Sequence, residues 1–358
     1  MRVLLTGHNG YVGSVMSRMV RAAGHKVVGL DTYLFEDCTF GPEGPDLESL
    51  RMDIRDVSED DLVGFDAVIH LAALCNDPLG NMNPEFTYAI NHGASVRLAC
   101  LAKAAGVPRF LFASSCSLYG LGSDGFLQED APFNPITPYG HSKILVEQDL
   151  ARLADDDFSP TYMRNATAFG VSPRLRNDIV VNNLVGHAFT SGKILIQSDG
   201  TPWRPLVHVE DFSRAFVAVL EAPREKVHNE AFNVGRTSEN YRVRDLAEMV
   251  LGAVPGSTVE YAPGGGPDPR NYRVDCSKLA ETLPAFQPQW TVRKGVEELH
   301  AAFQRNQLTA AEFAGHRYLR IKNIQRLQRE GRLGDDMRWV AGVPEAFGLR
   351  PSAVTARV

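Results

Sequence analysis

The first thirteen residues leave few folds open to this chain. Val3 to Leu5 form a short apolar run, and Gly7, Gly10 and Gly13 follow at intervals of three in TGHNGYVG, before a helical pattern through Val15, Met19 and Val20. Glycines so spaced permit a tight turn, let the backbone approach a pyrophosphate, and let the next helix pack closely on the strand. The free N–H groups and positive dipole end of that helix then face the anion. Three turn glycines alone say little; their place between a first strand and a first helix makes them informative. Asp31 ends the next apolar run, KVVGLD (26–31), 18 residues beyond Gly13. A carboxylate there accepts hydrogen bonds from ribose hydroxyls and repels a 2′-phosphate, so the expected cofactor is NAD rather than NADP.

The alternation of strand and helix continues. SLRMDIRD (49–56) contains a third strand, AVIHLAA (67–73) is a fourth, RFLFASS (109–115) a fifth, and FSPTYMRNA (158–166) holds a sixth. VRLACLAKAAG (96–106) reads as a helix closed by Gly106, a residue suited to a C-terminal cap. YGHSKILVEQDLARLA (139–154) reads as another, with apolar positions 145, 146, 150 and 153 near helical spacing. Apolar strands alternating with helices imply an α/β, Rossmann-type doubly wound parallel sheet covered on both faces.

After residue 166 the segments shorten, and Gly and Pro become common in SPRLRND, SDGTPWRP and APGGGPDPRN. This implies a smaller, loop-rich C-terminal lobe. The expected division is 1–166 for the NAD-binding domain, 167–300 mainly for the lobe, and 301–358 for a helical extension and tail. EAFNVG (230–235) still reads as a sheet strand, so segments near 205–235 are expected to return to the first domain. In the basic stretch 311–339, Leu319, Ile321, Ile324 and Leu327 are expected to pack on the body or on a sister subunit. The closing PSAVTARV is expected to be disordered.

Composition narrows the function classes. The net charge of −6 comes with no basic domain or stripe, which argues against nucleic acid as a partner. Cys38, Cys75, Cys100, Cys116 and Cys276 are scattered without a C-x-x-C pair, against a structural zinc site or a disulfide framework. His70, His141, His187 and His208 have no metal-ligand spacing, so no metal is expected. No apolar run reaches membrane-spanning length. The chain runs from Met1-Arg2 straight into its first strand, which leaves no room for a signal peptide and makes a cytoplasmic location the expectation.

Tyr139 and Lys143 in YGHSK lie four apart, one helical turn above each other on one face. A phenol with a pKa of about 10 is a poor acid–base group at neutral pH. A neighbouring ammonium favours its phenolate form. Alone, such a pair is more often a solvated helix face than an activated tyrosine. Here it joins T-G-x-x-G-x-x-G at Thr6 to Gly13, H-x-A-A at His70 to Ala73, Asp53 and Asp56 in MDIRD, and Ser115 in FASSCSLYG. Together these resemble the extended branch of the short-chain dehydrogenase/reductase superfamily: the nucleotide-sugar epimerases, dehydratases and reductases. The likeness spans about residues 1–300.

The resemblance implies Tyr139 as acid and base, Lys143 as the group that holds the nicotinamide ribose, and Ser115 as a hydrogen-bond partner of the reacting sugar oxygen. It implies cofactor contacts at Gly7, Gly10, Tyr11, Val12, Gly13, Asp31, Asp53, Ile54, Leu71, Ala72, Ala73, Asn91, Ser114, Tyr139 and Lys143. For the substrate it implies Ser115, Thr167, Asn183 in VVNNLV, Arg204 in SDGTPWRPLVHVED and Arg270 in GPDPRNYRVDCSK. Arginine suits a diphosphate through its planar fork of donors.

Three stretches stand apart from the family pattern. Cys116 and Ser117 stand where 4,6-dehydratases carry an acidic pair. The acid–base cysteine of 3,5-epimerases falls at the place of Ser117; Cys116 is one residue early, and one step along a strand reverses a side chain, so Cys116 reads as packing. Thr167 stands at the usual asparagine of the family's L-R-x-x-N-x-Y-G, with Asn165 two residues earlier. Asn76 and Asp77 in LCNDPLG read as an Asx turn before Pro78. The expected activity is an NAD-dependent nucleotide-sugar epimerase, of the 4-epimerase type. The alternatives are a nucleotide-sugar 4-ketoreductase or dehydratase, and a non-enzymatic NAD sensor. A homodimer is expected by analogy with the family.

Overall fold

Val3 and Leu5 project to one side of the first strand, Arg2–Thr6, and Leu4 to the other, as the two-residue period of a strand requires. All three are wholly buried, so the strand must lie inside a sheet with both faces covered. The computed structural model describes residues 1–42, 44, 47–75, 77–264, 266, 268 and 270–341. Asn76, the side chain of Asp77 and the tail PSAVTARV lie outside the described residues.

The central sheet has seven strands, all parallel, in the spatial order Glu230–Val234, Ser159–Asn165, Arg109–Ser115, Ala67–His70, Arg2–Thr6, Lys26–Asp31 and Ser49–Arg51. On one face Leu4, Val28, Val68, Phe110 and Phe112 meet Leu98, Val146 and Leu150 from two helices. On the other Val3, Leu5, Ile69, Leu111 and Met163 meet Met16, Val20, Phe212 and Phe216. The chain leaves Arg2–Thr6 to one side for two strands and to the other for four. That reversal opens a crevice at the carboxyl ends of the strands, where such sheets bind ligands.

The expected third strand is shorter than its sequence run. Only Ser49–Arg51 pairs with Lys26–Asp31, and the following MDIRD turns, with the Asp56 amide donating to the Asp53 carbonyl. Beyond Asn165 a second set of elements forms. Thr167–Phe169, Trp203–His208 and Asn240–Arg242 make a three-stranded sheet, and Lys193–Ile196 pairs with Thr258–Tyr261. Their core gathers Phe169, Leu184, Leu246, Val296 and Phe303 around the helices Val180–Ser191, Val243–Ala253 and Val292–Arg305. Glu230–Val234 lies in the central sheet beside Ser159–Asn165. In the basic C-terminal stretch, Ile324 and Leu327 of the helix Arg320–Arg329 are buried in the core that holds Leu4 and Phe110, so this helix packs on the body. Among the described residues no helix is long and apolar enough to cross a membrane.

Candidate active site

The glycine turn is closed by contacts that exclude a side chain. Gly7 has φ +74°, and a Cβ there would stand 2.8 Å from the Ala72 amide nitrogen; one on Gly13 would stand 2.1 Å from the Gly7 carbonyl oxygen. The Gly10 amide donates to the Gly7 carbonyl at 3.0 Å. Asp31 fixes the turn from the next strand, accepting from the Asn9 amide at 2.9 Å and from the Tyr33 amide at 2.8 Å. Tyr11 donates its hydroxyl to the Gly170 carbonyl at 2.8 Å, and burial pushes its pKa well above the ordinary phenol value.

These residues open on one cavity of about 810 Å³. Gly7, Gly10, Tyr11, Val12, Gly13 and Asp31 line it, as do Asp53 and Ile54, Leu71 to Ala73, and Ser114. Asp53 is bound by Arg55, whose Nη2 lies 2.6 Å from its carboxylate. Asn91 differs from the expectation. It is fully buried, and its amide is spent on the Leu74 backbone, with Oδ1 accepting from the amide at 2.8 Å and Nδ2 donating to the carbonyl at 3.0 Å. It therefore shapes the loop after the fourth strand and does not line the cavity. Thr6 and Ser95 take both ring nitrogens of His70, and burial drops its pKa to about 3, so it is a neutral packing residue.

The helix Pro138–Leu153 carries Tyr139 and Lys143 into the same cavity. Thr137 caps it, accepting from the Gly140 amide at 3.2 Å, and Pro138 occupies its first turn, where a missing N–H costs nothing. Lys143 donates to the Ala113 carbonyl at 2.8 Å; its ammonium nitrogen lies 4.6 Å from the Phe112 ring centroid and 5.6 Å from that of Tyr139. Burial lowers its pKa to about 8, against the opposing pull of Cys75 and Glu147. One turn further along, Glu147 accepts from the Ser114 hydroxyl at 2.5 Å and is bound by Arg164 at 2.7 Å. The helix is thus tied to the end of the fifth strand. Ser115, also on the cavity wall, accepts from the Ser117 amide at 3.1 Å.

Thr167, Asn183, Arg204 and Arg270 line the far part of the same cavity. Arg204 and Arg270 both grip Asp268, at 2.6 and 2.5 Å. Arg204 also donates to the Trp203 and Arg270 carbonyls; burial lowers its pKa despite Asp268. Asn183 is steered by the Asn177 carbonyl, 2.8 Å from its Nδ2. Cys116 is buried, donates to the Arg164 carbonyl and packs with Leu118, Tyr119 and Cys276; burial drives its pKa far above the usual thiol value.

Several lining residues had no part in the sequence reading as ligands. Ser117 Oγ and Asn165 Oδ1 are buried without a hydrogen-bond partner among the described residues, and both residues line the cavity. Buried polar atoms nearly always find partners, so a ligand is the natural source of these two. Asn165 was visible only as an asparagine two places from the expected one, and Ser117 only as a missing acid. Arg176 binds Asp178 at 2.8 Å; burial works against its charge, but Asp178 holds the guanidinium above its ordinary pKa. Its sole signal was a charge in the loop SPRLRND. The glycine cradle, which any Cβ would fill, and the orphaned oxygens together fit a dinucleotide with a polar substrate beside it.

The sequence profile of the NAD dependent epimerase/dehydratase family matches residues 3–235. A UDP-glucose 4-epimerase of Mycolicibacterium smegmatis is 30% identical over 309 residues, covering 83% of this chain and 96% of that protein. UDP-glucuronic acid decarboxylase 1 of Arabidopsis thaliana is 26% identical over 329 residues, covering 88% of this chain and 72% of that protein. Among solved structures, MoeE5 in complex with UDP-glucuronic acid and NAD aligns at 28% identity with a TM-score of 0.73, over 85% of this chain and 99% of that one. The named relatives thus differ in outcome, and the solved complex holds NAD. The chain belongs to the NAD dependent epimerase/dehydratase family and is an NAD-dependent enzyme of the extended short-chain dehydrogenase/reductase type.

Proposed function

We propose that the enzyme is a nucleotide-sugar 4-epimerase that oxidises its substrate transiently to a keto sugar, with Tyr139 as acid and base. One observation carries this reading: the carboxylates on the cavity wall are already committed. Among the described lining residues they are Asp31, Asp53, Asp178 and Asp268. They hold, in turn, the Asn9 and Tyr33 amides, Arg55, Arg176, and the Arg204–Arg270 pair. Elimination of water needs an acid that protonates the leaving hydroxyl. The positions after Ser115 offer a buried thiol and a hydroxyl instead. Oxidation and re-reduction at one carbon needs no such acid.

NAD, when bound, supplies the reversible hydride acceptor. Tyr139 takes the proton from the sugar hydroxyl and returns it once the sugar presents its other face. The Lys143 ammonium favours the phenolate that does this, and its bond to the Ala113 carbonyl fixes where that charge sits. Ser115 keeps its O–H for the same sugar oxygen, since its bond to Ser117 uses only a lone pair. Arg204 and Arg270, set at one place by Asp268, present cationic forks to the substrate's diphosphate. A homodimer belongs to the same proposal, on the family resemblance alone.

UDP-glucose and UDP-glucuronic acid are the first substrates to try, because relatives' names specify them. The purified enzyme should interconvert one such sugar with its 4-epimer with no cofactor added, followed by proton NMR. Tyr139→Phe should lower kcat by about 10³-fold, the scale of a lost general acid–base group, with bound NAD unchanged. Turnover only with stoichiometric NADH, yielding a reduced sugar, would instead make it a ketoreductase.

A further inference from the structure

Residues beyond the family match close one end of the cofactor cavity. The match ends at residue 235. The helix Arg320–Arg329 and the turn that follows it lie against the loops after the second and third strands, the loops that begin with Asp31 and contain Asp53. Asn323 Nδ2 donates to the Leu34 carbonyl at 2.8 Å, and Trp339 Nε1 to the Thr32 carbonyl at 2.6 Å. Arg55 reaches the Asp336 carbonyl at 2.9 Å, and Arg338 forms an ion pair with Asp56. Arg320, Ile324 and Met337 of this segment line the cavity itself.

Arg320 is the unusual member. It is 3% exposed, and its guanidinium carbon lies 4.0 Å from the Phe35 ring centroid. Nη2 donates to the Arg174 carbonyl at 2.8 Å. Nη1 is buried and has no hydrogen-bond acceptor among the described residues; the Asp178 carboxylate favours the charge from a distance, and Arg176 opposes it. Burial lowers its pKa, which marks the cost of the charge. A buried cation with an unused donor is unfavourable unless a partner arrives. The cavity it lines is where such a partner can enter. An acidic residue at the end of the second strand marks the ribose of the adenosine half in this kind of fold. Arg320 stands among the residues that follow that acid.

We propose that residues 316–341 clamp the adenosine half of NAD, with Arg320 Nη1 donating to an oxygen of that half, a phosphate or a ribose hydroxyl. The clamp makes the cofactor slow to leave, as an enzyme that returns the hydride to the same molecule requires.

Exchange of bound NAD for labelled NAD in the holoenzyme tests this. Arg320→Gln should speed exchange by about tenfold or more, the effect of one lost charge-assisted hydrogen bond. Gln325→Ala, an exposed position on the same helix, should leave it unchanged. Competition then separates the two acceptors. If the substitution weakens ADP but not adenosine, the acceptor is a phosphate; if it weakens both, a ribose hydroxyl. Wild-type exchange rates in Arg320→Gln would overturn the proposal. Should that variant fail to fold, amide hydrogen exchange decides on the wild-type chain. Residues 316–341 should be protected when NAD is restored to stripped protein, and unchanged uptake there would overturn the clamp.

Discussion

Lys143 carries a buried ammonium that donates to the Ala113 carbonyl. Its pKa of about 8 lies below the ordinary lysine value of 10.5. Between those values the unfolded chain binds more protons than the folded one, so this group makes stability rise with pH across that window. At about 1.4 kcal/mol per pH unit, the wild type should gain on the order of 3 kcal/mol relative to Lys143→Met between pH 8 and 10.5. Urea denaturation of both proteins without NAD, at the two ends of the window, reads this directly. A gap that stays constant with pH would show that Lys143 is not buried as a charge. That Tyr139, Lys143 and the three glycines face one cavity was legible in the sequence, because spacing and backbone freedom set their places before any packing is known. Ser117 and Asn165 were not, because an orphaned atom exists only once its neighbours have folded around it. Nor was the use of the Asn91 amide: its place in the chain gives its element, while the bonds to Leu74 decide which way the amide points.

The helix Pro138–Leu153 was expected over 139–154 from the spacing of its apolar positions; Pro138 and the Thr137 cap set its start one residue earlier. Its end is held by packing and by Glu147, which joins Ser114 to Arg164. Thr137→Ala should cost about 1 kcal/mol of stability, the usual worth of an N-cap, measured as a lower denaturation midpoint. Because Tyr139 lies in the first turn, kcat should fall more than the binding of NAD. Tyr88–Ala94 forms a π-helical turn that carries Asn91, which the sequence did not announce, because one extra residue per turn leaves the local apolar pattern almost unchanged. Trp203–His208 was seen as a motif and not as a strand. Pro205 lies within it and Gly200 and Pro202 precede it, and its pairing with Thr167–Phe169 is a contact between distant segments.

The cavity draws on both halves of the chain: the glycine turn and Tyr139 from one, Thr167, Asn183, Arg204 and Arg270 from the other. Removing an arginine of the far half should therefore separate substrate from cofactor. Arg204→Ala should raise KM for the nucleotide sugar by about 10- to 100-fold, the range of a charge-assisted contact to phosphate, with NAD content unchanged. Steady-state kinetics beside a cofactor assay checks it; loss of NAD in that variant would mean that Arg204 serves the fold or the cofactor instead. The parallel sheet was legible from its apolar runs. The closure of the cavity by the C-terminal segment was not, since Arg320 sits among ordinary surface charges in the sequence and more than 280 residues from Asp31, near which it folds.

In the proposed reaction one carbon is oxidised and reduced within the site. A nucleotide hexose deuterated at C4 tests that most directly, incubated in ordinary water with no cofactor added and followed by NMR. The epimerised product should keep its deuterium at C4. Product that has lost the label to solvent, or that has exchanged at a neighbouring carbon, would contradict it.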